Sequence, residues 1–135
     1  MYQFTEADKV WNRACGQAEC SSPGVGDSAL AALIAFHSVA MNGGVLHALE
    51  YRSDVEVISA VEGYRFFGLD EAADMIEAAL SELREIQARG DDPEEVEQLE
   101  RVLDERYDVH VPDDQTLVVA FKRIFEHRRA DFQPV

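Results

Sequence analysis

The sequence is poor in cysteine, in basic residues and in long apolar runs. Its 135 residues include two cysteines, Cys15 and Cys20. Two thiols in a cytosolic protein usually stay reduced, so we expect no disulfide framework. No run of about 18 apolar residues is present, and Met1 to Val10 has neither the basic start nor the apolar centre of a signal peptide. These absences argue against a disulfide-stapled secreted domain and predict a cytoplasmic protein without a membrane span.

Positive charge is also scarce. The chain has 12 Lys and Arg against 27 Asp and Glu, which gives a net charge of -15. Residues 1–69 carry 8 acids and 4 bases (-4), residues 70–115 carry 17 and 4 (-13), and residues 116–135 carry 2 and 4 (+2). Because such a surface repels phosphates, direct binding to nucleic acid or to an anionic membrane is disfavoured. The charge favours a basic protein as partner, or high solubility alone.

Apolar residues recur at a spacing of three to four, which indicates helices, and start and stop signals divide them. Thr5 with Asp8, and Ser53 with Glu56, have the spacing of capping boxes. We therefore predict an all-α fold, a single compact domain over residues 1–135 with about six to seven helices. The predicted helices run from Thr5 to near Ala18, from Asp27 to Met41, from Gly44 to about Tyr51, from Val55 to Phe67, from Asp70 to Arg89, from Asp92 to near Tyr107, and from Asp113 or Asp114 onward.

A pair of adjacent glycines, Gly43 and Gly44, interrupts the helical pattern in "MNGGVLHALEYRS". A phosphate-binding loop would need a preceding strand and a Lys, Ser or Thr to hold the phosphates. Here a helix precedes the glycines and Val45 follows them. We therefore predict a structural corner, in which a glycine in the left-handed conformation ends the helix and the Asn42 amide supports the turn.

Signals for metal or thiol chemistry are weak. His47 and Glu50 form half of the paired pattern that a di-iron site requires, and no second pair has that spacing. His37 lacks a carboxylate three or four residues away, and His110 and His127 are interpreted as surface or hydrogen-bonded residues. A catalytic Cys15 or Cys20 would need a nearby base, and sequence spacing does not show whether His37 or His47 approaches either thiol. We predict no metal, no cofactor and no catalytic residue, and a small metal- or thiol-dependent enzyme ranks third among the functions considered.

The acidic third of the chain has two interpretations, a solvated surface and a binding surface. Acids near helix starts are favoured by the helix dipole, and Glu85 with Arg89 and Glu97 with Arg101 have ordinary ion-pair spacing, so a solvated face explains much of the pattern. An excess of thirteen charges over 46 residues nevertheless costs self-repulsion, which favours a binding role. The candidate partner-binding acids are Asp70, Glu71, Asp74, Glu77, Glu82, Glu85, Asp91, Asp92, Glu94, Glu95, Glu97 and Glu100.

The run "MNGGVLHALEYRS", followed by "AVEGYRFFGLDEAADMIEAAL", resembles a bacterial domain-of-unknown-function family that has an Asn-Gly-Gly motif and includes a DNA-mimic protein. The likeness covers residues 31 to about 83 and is weaker in "LDERYDVH" and the last helix. Asn42, Gly43 and Gly44 match the motif, and Gly68 matches a glycine between two later helices. The resemblance implies an all-helical fold. For the mimic type it also implies that surface carboxylates imitate DNA phosphates and occupy the DNA-binding face of a transcription factor.

These observations favour a non-enzymatic acidic binding protein of the DNA-mimic type. The expected partner is a basic protein such as a DNA-binding transcription factor, with no direct contact to nucleic acid or membrane. An immunity-type protein that neutralises a basic toxin is the alternative, because it would need the same acidic surface. One helix cannot match the charge density of duplex DNA, so mimicry would need both acidic helices and is compatible with a homodimer.

Overall fold

A computed structural model describes residues 3–135 of the chain. The described residues form seven α-helices, a final 3₁₀ turn at Arg129–Asp131 and no strand. The predicted all-α fold with six to seven helices is confirmed. The helices are α1 (Glu6–Ala14), α2 (Val25–Gly43), α3 (Val45–Tyr51), α4 (Asp54–Phe66), α5 (Asp70–Ala88), α6 (Pro93–His110) and α7 (Asp114–His127).

Most helix starts follow the predicted capping chemistry. The Thr5 hydroxyl accepts the backbone N–H of Asp8 at 3.1 Å, and the Ser53 hydroxyl accepts that of Glu56 at 3.2 Å. In both cases the carboxylate reaches back to the N–H of the capping residue, which completes the box. At α7 the choice left open by the sequence is resolved, because the Asp113 carboxylate accepts the N–H of Thr116 at 3.1 Å.

Two predicted starts are wrong by one to three residues. Asp27 does not precede α2 but lies within its first turn, where its carboxylate accepts the N–H of Gly24 at 2.9 Å. Asp70 is the first residue of α5, and Leu69 occupies the cap position without a side-chain hydrogen bond. In both helices the acid lies in the first turn instead of at the cap, and its negative charge still interacts favourably with the positive end of the helix dipole.

Two predicted helix ends also shift. α1 ends at Ala14 rather than near Ala18, because Gly16 adopts a positive φ of 87° and turns the chain. α6 continues past Tyr107 to His110, and the N–H of Val111 still bonds to the carbonyl of Tyr107 at 2.7 Å. Pro112 then stops the helix, since proline disfavours helical backbone at the residue before it.

The predicted central helix, α2, packs against α1, α3 and α4. Leu30, Leu33 and Phe36 on this helix are at most 1% exposed. In the described part of the chain, α2 is also the one helix that is long and apolar enough to cross a membrane. Its contacts, together with the buried polar side chains of Asp27 and His37, are those of a core helix.

A buried ion pair fastens the C-terminal segment to the start of α2. A guanidinium nitrogen of Arg13 lies 2.8 Å from the carboxylate of Asp27, and both side chains are only 6% exposed. The same nitrogen donates to the carbonyl of Gln133 at 2.7 Å, while the N–H of Gln133 donates to Asp27 at 2.6 Å. We call the contacts among Arg13, Asp27 and Gln133 the buried clasp. Phe132, next to it in the chain, packs among the rings of Phe66, Phe67, Phe121 and Phe125.

A second buried polar network joins four helices. His37 Nε2 lies 2.6 Å from a carboxylate oxygen of Asp114, and Nδ1 lies 2.7 Å from the Tyr107 hydroxyl, which also bonds to the Tyr64 hydroxyl. Because a carboxylate only accepts, Nε2 carries a proton. In the neutral ring Nδ1 then accepts from Tyr107, and Tyr107 accepts from Tyr64. Every polar group in this chain of hydrogen bonds is therefore satisfied.

Candidate partner-binding surface

The candidate acids lie on two adjacent helices. α5 and α6 pack as an antiparallel hairpin, joined by a short turn at 89–92. Three polar contacts link the two helices along their length: His110 with Glu71 at 3.4 Å, Arg106 with Glu82 at 3.3 Å, and Arg89 with Glu95 at 2.9 Å. The hairpin therefore brings the predicted acids onto one region of the molecule.

The structure divides these acids into paired and unpaired groups. Arg65 of α4 lies 2.8 Å from Asp74 and 3.6 Å from Glu77, so it compensates part of the charge of α5. The hydrogen bond from Asp74 and the charges of Asp74, Glu77 and Asp70 raise the pKa of Arg65. Including the contacts across the hairpin, the predicted acids with an arginine partner are Asp74, Glu77, Glu82 and Glu95, and Glu71 contacts His110.

The unpaired acids are concentrated after residue 84. None of them has an ion-pair partner among residues 3–135, and all are exposed. Asp92 accepts the N–H of Glu94 at 3.1 Å as the cap of α6, and Asp91 has a positive φ of 61° in the turn. The predicted acids of this group are Asp70, Glu85, Asp91, Asp92, Glu94, Glu97 and Glu100.

Two ion pairs predicted from helical spacing do not form. Arg89 is the C-cap of α5 and pairs with Glu95 of the next helix instead of Glu85. Arg101 forms no ion pair within the described residues, so Glu97 keeps its charge uncompensated. Both departures leave a predicted acid free for a partner.

The sequence prediction ended this surface at Glu100, but α6 continues with exposed acids at Asp104, Glu105 and Asp108. Residues Glu97, Glu100, Asp104 and Asp108 are spaced by three or four and share one face of α6. We call these four residues the α6 acidic strip. The same helical spacing in the sequence contained this signal, but the prediction did not extend it toward the end of α6.

The charge density of the α6 acidic strip can be compared with that of DNA. From Glu97 to Asp108 an α-helix rises about 16 Å. One strand of B-DNA carries a phosphate every ~3.4 Å, or about five over that length. Four carboxylates therefore approach the density of one strand but not of the duplex.

The glycine motif forms a corner between α2 and α3. Gly44 has φ 92° and ψ 162°, and its N–H bonds to the carbonyl of Ala40 at 2.8 Å. The prediction of a glycine with positive φ is confirmed, although this ψ is extended and not left-handed helical. Asp104 accepts the next N–H, from Val45, at 2.9 Å. The Asn42 side chain is exposed and forms no hydrogen bond within the described residues, so the prediction that it supports the turn is wrong.

Gly68 turns the chain between α4 and α5 at φ 78°. The N–H of Leu69 bonds back to the carbonyl of Tyr64 at 2.8 Å. The predicted helix-ending role of this glycine is confirmed.

The groups considered for catalysis do not converge. Residues 3–135 contain no group of three or more His, Cys, Asp or Glu side chains arranged to hold a metal. Both cysteines are free, and partial burial raises the pKa of Cys15, which disfavours the reactive thiolate. His37 gains a carboxylate partner from α7 that local spacing did not reveal. Burial also raises the pKa of Tyr64 and of Tyr107, so neither hydroxyl of that network is an activated nucleophile.

A family described as DMP19-like protein matches residues 26–127. The chain belongs to the DMP19-like protein family. The matched region begins in α2 and ends with α7. It therefore contains the glycine corner and the hairpin of α5 and α6, which we call the acidic hairpin. This match agrees with the resemblance of the sequence to a family that includes a DNA-mimic protein. No curated protein and no solved structure matches the chain.

Proposed function

We propose that this protein binds the DNA-binding face of a basic protein, such as a transcription factor, through the acidic hairpin α5–α6. The observation that carries the proposal is the uneven pairing of its charges. Arg65 compensates acids on the first half of α5, whereas the α6 acidic strip has no cationic partner in the described chain. Uncompensated carboxylates in a row repel one another and gain from a partner that supplies Lys and Arg.

The family match supports binding to a DNA-binding protein, because the DMP19-like family suggests a protein of the DNA-mimic type. A protein that occupies a DNA-binding face must present negative charge at a spacing that cationic side chains can reach. The α6 acidic strip approaches the spacing of one DNA strand, and its member Asp104 places it on the side of α6 that meets the glycine corner. The same charge would exclude nucleic acid itself from this surface.

A pair of matched variants tests the proposal. The strip variant carries Glu97→Gln, Glu100→Gln and Asp108→Asn, and it spares Asp104 because that residue bonds to Val45. The control variant carries Glu19→Gln, Glu62→Gln and Glu126→Gln, three exposed acids outside the hairpin. Both variants lose three negative charges, so a general effect of net charge would alter them equally.

The partner is first captured from an extract of the source cells at low salt. Its affinity for the strip variant should fall more than tenfold, or about 1.4 kcal/mol, while the control variant stays near the parent. Affinity should also fall as salt rises, and DNA should compete. Equal binding of both variants, or a ternary complex with DNA, would contradict the proposal. A captured basic protein that does not bind DNA would instead support the immunity-type alternative.

A further inference from the structure

A small cleft opens between α5 and α6 on the acidic hairpin. Its volume is about 260 Å³, and the buried side chains of Ile86 and Leu99 form an apolar floor with Val102 at the edge. Val102 is 37% exposed; Val109 of the same helix is 76% exposed but does not line the cleft, and apart from Pro93 the other exposed side chains of α6 are polar. An exposed aliphatic residue over an apolar floor contributes nothing to electrostatic mimicry.

Ion pairs between the two helices line this cleft. Arg89 bonds to Glu95 at 2.9 Å, and Arg106 bonds to Glu82 at 3.3 Å, with each pair joining α5 to α6. Because these four charges compensate one another, the lining has no net charge. Such a cleft suits an uncharged side chain rather than a Lys or Arg head group.

Unpaired acids flank the cleft on both helices. Glu85 follows the cleft residue Glu82 by three residues on α5, while Glu105 follows Val102 by three residues on α6. Neither acid has an ion-pair partner in the described chain. A partner that fills the cleft with an apolar side chain would therefore meet carboxylates on either side.

We propose that the cleft is the apolar anchor of the partner interface and takes one aliphatic side chain, Leu, Ile or Met, carried between basic residues of a protein. This rests on the proposed function and specifies the chemistry of its partner. The negative charge around the cleft favours a basic protein as the occupant over a second copy of this chain. A second copy of this chain would bring two molecules of charge -15 together at their acidic hairpins, and their mutual repulsion opposes that arrangement.

The apolar anchor predicts binding that salt does not abolish. At roughly 1 M salt the screening length falls to about 3 Å, so contacts between exposed charges are largely lost. Burial of an aliphatic side chain is not screened. Interfaces also concentrate their binding energy in a few buried anchors surrounded by polar contacts.

Two synthetic helical peptides of equal length and charge provide the probe. One carries Lys with Leu on a single face, and in the other every Leu is Gln. The full-length protein should bind both at low salt, but at roughly 1 M salt it should bind the Lys/Leu peptide at least about tenfold more tightly. Val102→Ser should remove most of that advantage, while Val119→Ser on α7, where the valine is 57% exposed, should preserve it.

Failure of this inference is separable from failure of the proposed function. Equal binding of the two peptides at high salt, or equal effects of Val102→Ser and Val119→Ser, would overturn the apolar anchor. The strip variant reports on the acidic surface independently, since it should weaken both peptides at low salt. Concentration-dependent sedimentation of the free protein that Val102→Ser abolishes would place a second copy in the cleft and also overturn the inference.

Discussion

Val45 donates its backbone N–H to the carboxylate of Asp104 at 2.9 Å, across 59 positions of the sequence. The bond satisfies the first N–H of α3 with a side chain from α6. It also explains the glycine corner, since a Cβ on Gly44 would lie 3.3 Å from both carboxylate oxygens of Asp104. The Asn-Gly-Gly motif therefore joins two helices and docks them on a third.

The two glycines of the corner should differ in their tolerance of alanine. Gly44→Ala should lower the free energy of unfolding by about 1 to 3 kcal/mol, because its φ and ψ lie in a region almost confined to glycine. Gly43 ends α2 within the helix, and a Cβ there would meet the exposed, movable ring of His47 at 2.6 Å. Gly43→Ala should change stability by less than about 1 kcal/mol. Urea unfolding measures both, and a Gly44→Ala protein that is fully stable but no longer binds its partner would restore the ligand-loop interpretation.

Removal of the Asp104 carboxylate should weaken the start of α3. Asp104→Ala leaves the N–H of Val45 without its acceptor, which should cost about 1 kcal/mol. Asp104→Asn keeps an oxygen at this position and should cost less. Thermal unfolding of the two variants distinguishes the hydrogen bond from a general effect of charge, because both remove the same negative charge. Equal losses in the two variants would indicate charge instead.

The buried clasp should be far more sensitive than an exposed ion pair. Asp27→Ala removes the acceptor of Arg13, Gly24 and Gln133 together and leaves a buried guanidinium unpaired, so we expect a loss of about 3 to 5 kcal/mol. The exposed pair of Glu6 and Arg129 is the control, and Glu6→Ala should cost less than about 1 kcal/mol. Chemical denaturation of both variants tests the contrast, and similar losses would show that the clasp is not a stabilising centre.

The order of donors in the buried tyrosine network predicts an asymmetry. Tyr64→Phe removes only the terminal donor, so its cost should be about 0.5 to 1.5 kcal/mol. Tyr107→Phe leaves the Tyr64 hydroxyl and His37 Nδ1 without a partner and should cost about 1 to 3 kcal/mol more. Equilibrium unfolding of the single and double variants checks this, since the double variant should be no worse than Tyr107→Phe alone. Equal losses of stability in Tyr64→Phe and Tyr107→Phe would contradict the assigned order of donors.

The capping box of α4 should be visible in a pH titration. Hydrogen bonds from the backbone N–H of Ser53 and from its side chain, with a smaller effect of Arg52, lower the pKa of Glu56. A lowered pKa in the folded state means that the ionised form stabilises the fold above the ordinary glutamate pKa, and that this contribution is lost as pH falls through the lowered value. Carboxyl chemical shifts should show a smaller lowering of the pKa in Ser53→Ala. An unchanged titration in that variant would contradict the assignment.

The helices could be predicted from sequence because their signals are local. The boxes at Thr5 and Ser53 and the periodic apolar positions lie within a few residues of the structure that they specify. The contacts that joined distant segments could not be predicted this way. Asp114 reaches His37 from 77 positions away, and Arg106 reaches Glu82 from 24. No local spacing encodes such pairs.

The candidate surface shows the same limit. Composition located the acidic third of the chain, but it could not say which carboxylates were already compensated. Arg65 lies before α5 in the sequence and compensates Asp74 and Glu77, two of the candidate partner-binding acids. Conversely, Arg89 leaves helical geometry at the end of α5, so the spacing rule that paired it with Glu85 no longer applied.

The clasp at Gln133 makes the two ends of the described chain depend on each other. Arg13 belongs to the first helix and Gln133 to the last described residues. The guanidinium of Arg13 donates hydrogen bonds to the carbonyls of Gln133 and Pro134, so the two segments hold each other in place. Release of the tail would strip Arg13 of two carbonyl partners and expose Phe132, and release of α1 would leave Gln133 without its donor. The two segments should therefore open together as one cooperative unit, with amide hydrogens in α1 and at Phe132 and Gln133 exchanging at a common free energy below that of α2 and α4.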